Sequence, residues 1–359
     1  MNKVIDLFIQ LVKIDSPSGQ EQGMISFVQN WLKQHKLKYK TDASGNILAK
    51  NDGMGKPILF CVHMDTVEPG RGIKPNIKNG VIKSSGDTIL GADNKAAIAC
   101  LLSAVEQYLK TDKKQKAFEL LFTVNEETTG GLASFPFKWI KSEICLVFDS
   151  AKPLGGIILR SPYIINFHAE FTGKAVHSSM PEKGVNALLP VINGLTKIPI
   201  GTTDKSQTTI NIGLIKGGSG INTIPEKVII SGEIRSYQKQ LFNKNLKKIE
   251  LTLQETAKKN HVQFKFSKDG YCPGYSHSIH DEFIQQIKNL LYKIRLKSQF
   301  YYYSGVSDAN LLNSKGIETI NLGDAVENAH TSNEQIKIKD LQMLHKIILN
   351  LLRRKNWGT

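Results

Sequence analysis

The sequence predicts an α/β protein: a largely parallel mixed sheet flanked by helices, interrupted by an inserted α+β domain. Three observations carry this reading. Helical patterns and apolar strands alternate from residue 1 to about 161, the order that builds a parallel sheet covered by helices. From 162 to 268 the texture changes to strand signals at IINFHAEFTG, TTINIGLIKG and KVIISGEIRS, with one helical pattern after PEKGVNALL and another over a lysine-rich stretch. CPGYSHS then supplies proline and glycine before helix and strand patterns resume. The expected divisions are 1–161, 162–268 and 269–359, so the first domain is discontinuous. A chain of 359 residues suits two domains better than one.

The elements follow in order. MNKVIDLFIQLVKIDSPSG spaces apolar residues as a helix does, and Asp6, Gln10 and Lys13 interrupt it, so it has no signal-peptide core. KPILFCVHMDTV is an apolar strand running into His63 and Asp65. ILGADNKAAIACLL places Asp93 just before a helix. FELLFTVNEETTGG is a strand that ends on Glu126 and Glu127, and EICLVFDS one that ends on Asp149. Beyond the insertion, ETINLGDAVENAH leads a strand toward His330. In open α/β sheets, ligands gather at the carboxyl ends of strands. Five acidic and imidazole side chains at such positions therefore belong to one site.

Their chemistry suits metal. A borderline-soft cation such as zinc takes imidazole nitrogen and carboxylate oxygen, and a catalytic site keeps one position for water. The set His63, Asp93, Glu127, Asp149 and His330 cannot fill two closed sites. It fills two open ones if a carboxylate bridges the ions and a shared hydroxide completes both shells. Asp93 is the natural bridge, since the helix it precedes favours negative charge at its start. His63 and Asp65, two apart on an extended strand, point to one face, so Asp65 can orient the imidazole. Glu126 and Glu127 are adjacent and diverge, so that one can bind metal while the other faces water as general base.

VHMDTV, LGADNKAA, NEETTGG, VFDS and AHTSNE resemble, in order and over nearly the whole chain, the motifs of peptidase T and its relatives. That superfamily of zinc exopeptidases includes carboxypeptidase G, acetylornithine deacetylase and succinyl-diaminopimelate desuccinylase. The resemblance implies that His63 and Asp149 hold one metal, Glu127 and His330 the other, with Asp93 bridging, Asp65 orienting His63 and Glu126 as the base. It also implies a cis peptide between Asp93 and Asn94. GKAVHSSMPEKGVNAL is similar to a segment of the family's lid and dimerisation domain, a four-stranded sheet with two helices, whose histidine, here His177, supports the oxyanion. GLIKGGSGINTIPEKVIISGEIRS is similar to the segment that supplies substrate contacts, here Asn222 and Arg235. Arginine's planar fork suits a substrate carboxylate. The implied activity is hydrolysis of small peptides by a homodimer carrying two divalent ions, zinc first, with cobalt or manganese as alternatives. Aspartate at 149 resembles the aminopeptidase branch and favours a tripeptide-type aminopeptidase. A deacylase or carboxypeptidase on the same metals, and a non-catalytic binding protein on the same fold, are the alternatives. Asp324 and Ala97 depart from the family's usual residues.

The net charge of +15 is almost all lysine spread along helices, with few arginines, which reads as a solvated surface rather than a nucleic-acid footprint. No apolar run is long enough to span a bilayer. Cys61, Cys100, Cys145 and Cys272 are scattered without framework spacing, which fits a reducing cytoplasm. His277 and His280 have metal-like spacing but read as a solvated turn. His35, His261 and His345 read as structural or exposed, and His168 as a strand residue with no evident partner. KGGSG lacks a following GK[ST] and is a turn. The closing NWGT is expected to fray.

Overall fold

Strands buried on both faces read as continuous apolar runs, and four such runs form the parallel centre of the main sheet. The computed structural model describes residues 3–111, 115–128, 130–205, 207–354 and 357, so most of NWGT lies outside the described residues. Lys116–Thr123, Met54–His63, Ile144–Phe148 and Glu318–Leu322 lie side by side in that order, all parallel. Antiparallel strands extend them on both sides to a nine-stranded sheet among the described residues. His63 pairs with Thr123, and Leu322 with Phe148. The four strands therefore stop at nearly the same level, and the segments that follow them leave from one edge.

The chain divides into two units, Met1–Leu159 with His277–Thr359, and Arg160–Ser276. In the first, the helices Lys3–Val12, Ala92–Thr111 and Ile338–Leu352 pack together beside the sheet. Their core includes Phe8, Phe60, Leu101, Phe122 and Leu344, all fully buried. Burying one such side chain contributes about 1.5–3 kcal/mol. A small sheet orders Gln335–Lys337, Val81–Ser84 and Pro75–Lys78. It ties the chain just after His330 to the chain just before Asp93.

The second unit is an antiparallel sheet of five strands among the described residues, ordered Gly201–Thr203, Thr208–Gly217, Lys227–Ser236, Tyr163–Thr172 and Gln263–Cys272. Ile165, Phe167, Ala169 and Phe171 alternate inward along one strand, as period 2 demands. They meet Phe242, Ile249 and Leu253 of the helix Lys239–Lys259, and Val191 of Leu188–Leu195. Two differences from the sequence reading have plain causes. Gly201–Thr203 carries too little apolar pattern to be seen as a strand. Gln263–Cys272 continues past 268 because it pairs along Tyr163–Thr172 as far as Ile164, so the unit extends to Ser276.

Candidate metal centre

His63 ends its strand almost fully buried, and its two ring nitrogens face different partners. Nδ1 lies 3.1 Å from the main-chain oxygen of Asp65, and Nε2 lies 3.2 Å from Oδ1 of Asp93. A proton on Nδ1 shared with that carbonyl leaves the Nε2 lone pair aimed at a carboxylate oxygen. Two acceptors so placed need a proton or a cation between them.

Asp93 sits at the start of the Ala92–Thr111 helix in non-helical conformation, with ψ 103°, and its peptide bond to Asn94 is cis. Its second oxygen, Oδ2, is 3.3 Å from Nε2 of His330. One carboxylate therefore spans two imidazoles. The same His330 nitrogen is 2.9 Å from Oε1 of Glu127, a buried oxygen at which no hydrogen-bond donor is directed. An orphaned anionic oxygen beside an imidazole is the arrangement a cation completes.

Asp65 does more than the sequence suggested. The strand ends at His63, so Asp65 leaves it, and its carboxylate is 3.5 Å from the His63 ring. It accepts hydrogen bonds from Ser18 Oγ at 2.7 Å and from the backbone amides of Glu126 and Glu127 at 3.0 and 3.1 Å. The turn that presents the two glutamates is thereby held against His63. Asn125, in left-handed conformation at φ 54°, aims that turn. Glu126 groups with His63 and Asp149, and Glu127 with His63 and Asp93, each set bringing ligand atoms within 4.8 Å of one another. The adjacent glutamates do diverge.

Asp149 follows Phe148 and is clasped through its backbone by Asn321 of the neighbouring parallel strand: its amide donates to Asn321 Oδ1 at 3.0 Å, and Asn321 Nδ2 donates to its carbonyl. Nothing in the sequence pattern marked Asn321. Glu334 was also missed, although AHTSNE contains it. Its buried carboxylate accepts from the amides of Gly91 at 2.7 Å and Asp93 at 2.9 Å. Asp324 is buried beside these groups, with Oδ2 unpaired.

The electrostatics point the same way. Burial lifts the carboxyls of Glu126 and Asp149 well above the usual range, and the charge of Asp149 adds to the first as that of Asp93 adds to the second. Burial also raises Asp93, but the two imidazoles outweigh it and hold it well below that range. Asp93 and then Glu127 hold His330 up at about 10. Burial lowers His63, yet Asp65 and Asp93 leave it well above its ordinary value. Acids resisting ionisation among bases that retain protons mark an excess of negative charge, which bound cations would neutralise. Imidazoles and carboxylates in this mixture fit zinc and its first-row neighbours.

Comparison with known proteins identifies the architecture. Residues 161–261 match the family model described as the peptidase dimerisation domain of M20 enzymes. The whole chain superposes on aminopeptidase PepT from Bacillus cereus with TM-score 0.92 and 29% identity, covering 98% of each chain. It superposes on a tripeptidase from Staphylococcus aureus with TM-score 0.93 and 26% identity, covering 98% of this chain and 97% of that one. A curated relative, succinyl-diaminopimelate desuccinylase of Rickettsia rickettsii, is 23% identical over 97% of this chain and 98% of its own. The chain carries the M20 dimerisation domain and resembles the M20 metallopeptidases along its whole length, which supports a metallohydrolase.

Within the matched dimerisation domain, His177 and Asn222 are neighbours: the Ser178 amide donates to the Asn222 carbonyl at 2.9 Å, and His177 bridges to Thr223. His177 Nδ1 contacts Ser179 Oγ at 2.8 Å. Arg235 lies on Lys227–Ser236 and is gripped in two-pronged fashion by Glu233, at 2.6 and 2.9 Å. Two histidines differ from expectation. His168 has partners, Ser231 at 2.8 Å and Asp269 at 2.9 Å, because adjacent strands supply them across the sheet. His277 is no solvated turn: its ring is mostly covered, with Nε2 2.9 Å from the Thr319 carbonyl, and Asp281 and Glu318 are close by. Among the described residues no helix is long and apolar enough to cross a membrane.

Proposed function

We propose that this chain is an M20 metallopeptidase, a tripeptide-type aminopeptidase with two divalent ions, zinc foremost, and that Asp93 bridges them. The observation that supports the two-ion site most directly is the placement of the Asp93 carboxylate, one oxygen toward His63 and the other toward His330 at 3.2 and 3.3 Å. His63 and Asp149 would hold one ion, Glu127 and His330 the other. The ions would supply a polarised carbonyl and a shared water acidic enough to act near neutral pH. Glu126, partly buried beside Asp149, takes the proton from the attacking water and passes it to the leaving amine. Asp65 holds His63 and the glutamate turn in place. His177 stabilises the developing oxyanion, and Asn222 and Arg235 bind the substrate, with Arg235 toward its carboxylate. The catalytic domain is then Met1–Leu159 with His277–Thr359, and the inserted domain pairs two copies into a homodimer that works in the cytoplasm.

The likeness to PepT and to the tripeptidase favours a peptide with a free amino terminus. The desuccinylase relative favours a second reading, removal of an acyl group from an amino acid at the same centre. Tripeptides, dipeptides and N-acyl amino acids, assayed with zinc, cobalt or manganese supplied, separate the two. Turnover of acyl substrates alone ends the aminopeptidase reading.

A further inference from the structure

Glu334 belongs to no role assigned above, yet it is almost wholly buried and spends both carboxylate oxygens on backbone amides, those of Gly91 and Asp93. Both amides are available because the chain there is not helical: Gly91 is left-handed at φ +67°, and Asp93 has ψ 103°. A Cβ on Gly91 would come within 3.3 Å of Ile73 and Thr66, so the turn is tightly enclosed. Charge-assisted bonds from one carboxylate to two amides are short and directional, and they fix the main chain from which the Asp93 side chain projects.

Glu334 also closes the loop that carries His330. Its amide donates to the Thr331 carbonyl at 3.0 Å, and the base of the loop is tied by paired bonds between Glu327 and Gln335 at 2.9 and 3.0 Å. His330 stands near the tip with φ 64° and its side chain half exposed. The loop therefore has an exposed ligand and a buried anchor four positions later, and the anchor lands on the residue that the ligand must meet.

We propose that Glu334 is a positioning residue that registers the His330 loop onto Asp93, and that it governs uptake of the second of two metal ions, the one shared by Asp93, Glu127 and His330. The inference rests on the dinuclear reading above. The plainer role is a helix cap supplied from a distant segment, which would stabilise the start of Ala92–Thr111 without preference between the ions.

Zinc titration of the chelator-treated full chain by calorimetry, together with its melting temperature, separates these roles. The wild-type chain takes up two ions. E334Q keeps the shape but opposes an NH2 group to one of the two amides. Its first uptake step is expected to be unchanged and its second weakened about 10- to 100-fold, the usual cost of losing a residue that supports a ligand. E334Q combined with H330A should lose no more of the second step than H330A alone. E334D, one methylene shorter, should fall between the wild type and E334Q, and it carries the test if E334Q does not fold. Equal weakening of both steps with a lowered melting temperature in the metal-free state, or two unaltered steps, overturns the proposal. A wild-type chain that binds a single ion overturns the dinuclear reading, and this inference with it.

Discussion

The two units handle buried polarity in opposite ways. In the unit Arg160–Ser276, the buried polar side chains among the described residues are Ser161, Thr208, Ser236, Asn245 and Thr256: hydroxyls and one amide. The other unit buries ionisable groups, among them His63, Asp65, Lys95, Glu119, Asp149, Asp308, Asp324 and Glu334. Charges out of water cost several kcal/mol each unless paired. One unit is built as a packed sheet under two helices. The other carries electrostatic tension at the strand ends that a bound cation relieves.

The sharpest way to break this contrast is Glu126→Gln. It should lower kcat roughly 10²- to 10⁴-fold while metal content by elemental analysis stays at the wild-type level, and an unaltered rate sinks the assignment of the base. Phe167→Ala acts on the other side of the comparison. It should destabilise the inserted domain by about 3–5 kcal/mol, read by denaturant unfolding, without changing metal content. Chelation should do the reverse. Removing ions supplied at 100 times their Kd costs about 2.7 kcal/mol for each ion, and hydrogen exchange should quicken around 63–65, 91–95, 124–128 and 327–335 while Tyr163–Thr172 stays protected. Loss of protection spread evenly over both units would erase the distinction.

Arg235→Ala is expected to raise KM for peptides with a free carboxylate roughly 10-fold and to leave amidated peptides nearly unaffected. Equal losses for both would mean that Arg235 serves its pair with Glu233 rather than the substrate. The smallest effect belongs to a glutamate shared by two lysines. Burial raises Glu106, but Lys110 and Lys3 outweigh it and bring its carboxyl down to about 2 from 4.5. A depressed folded value means stability that is present above 4.5 and lost as pH falls toward 2. Glu106→Gln should flatten the acid limb of the melting curve over that window by less than about 1 kcal/mol, because both lysines are well exposed to solvent.

What could be read from the sequence follows the same division. The parallel strands were legible because residues such as Leu59, Phe60 and Cys61 are buried on both faces and leave an unbroken apolar run ending on a polar ligand. The structure brings His63, Asp93, Glu127 and His330 into one chain of contacts. Asn321 and Glu334 were not legible, since each acts on backbone amides distant in sequence and carries no local pattern. The left-handed turns at Asn125 and His330, which aim the ligands, were hidden for a related reason: surrounding contacts impose them on residues that do not require them. His277 looked solvated because only the tertiary fold brings the Thr319 carbonyl to its ring.

His63, Asp93, Glu127 and Asp149 all precede Arg160, and His330 follows Ser276, so the inserted domain lies between the first four members of the set and the fifth. During synthesis, four of them are translated before the insertion and the fifth only after it. A product cut off within the insertion thus lacks His330, one of the five candidate ligands. Order of translation alone keeps the five candidate ligands apart until the insertion has been made.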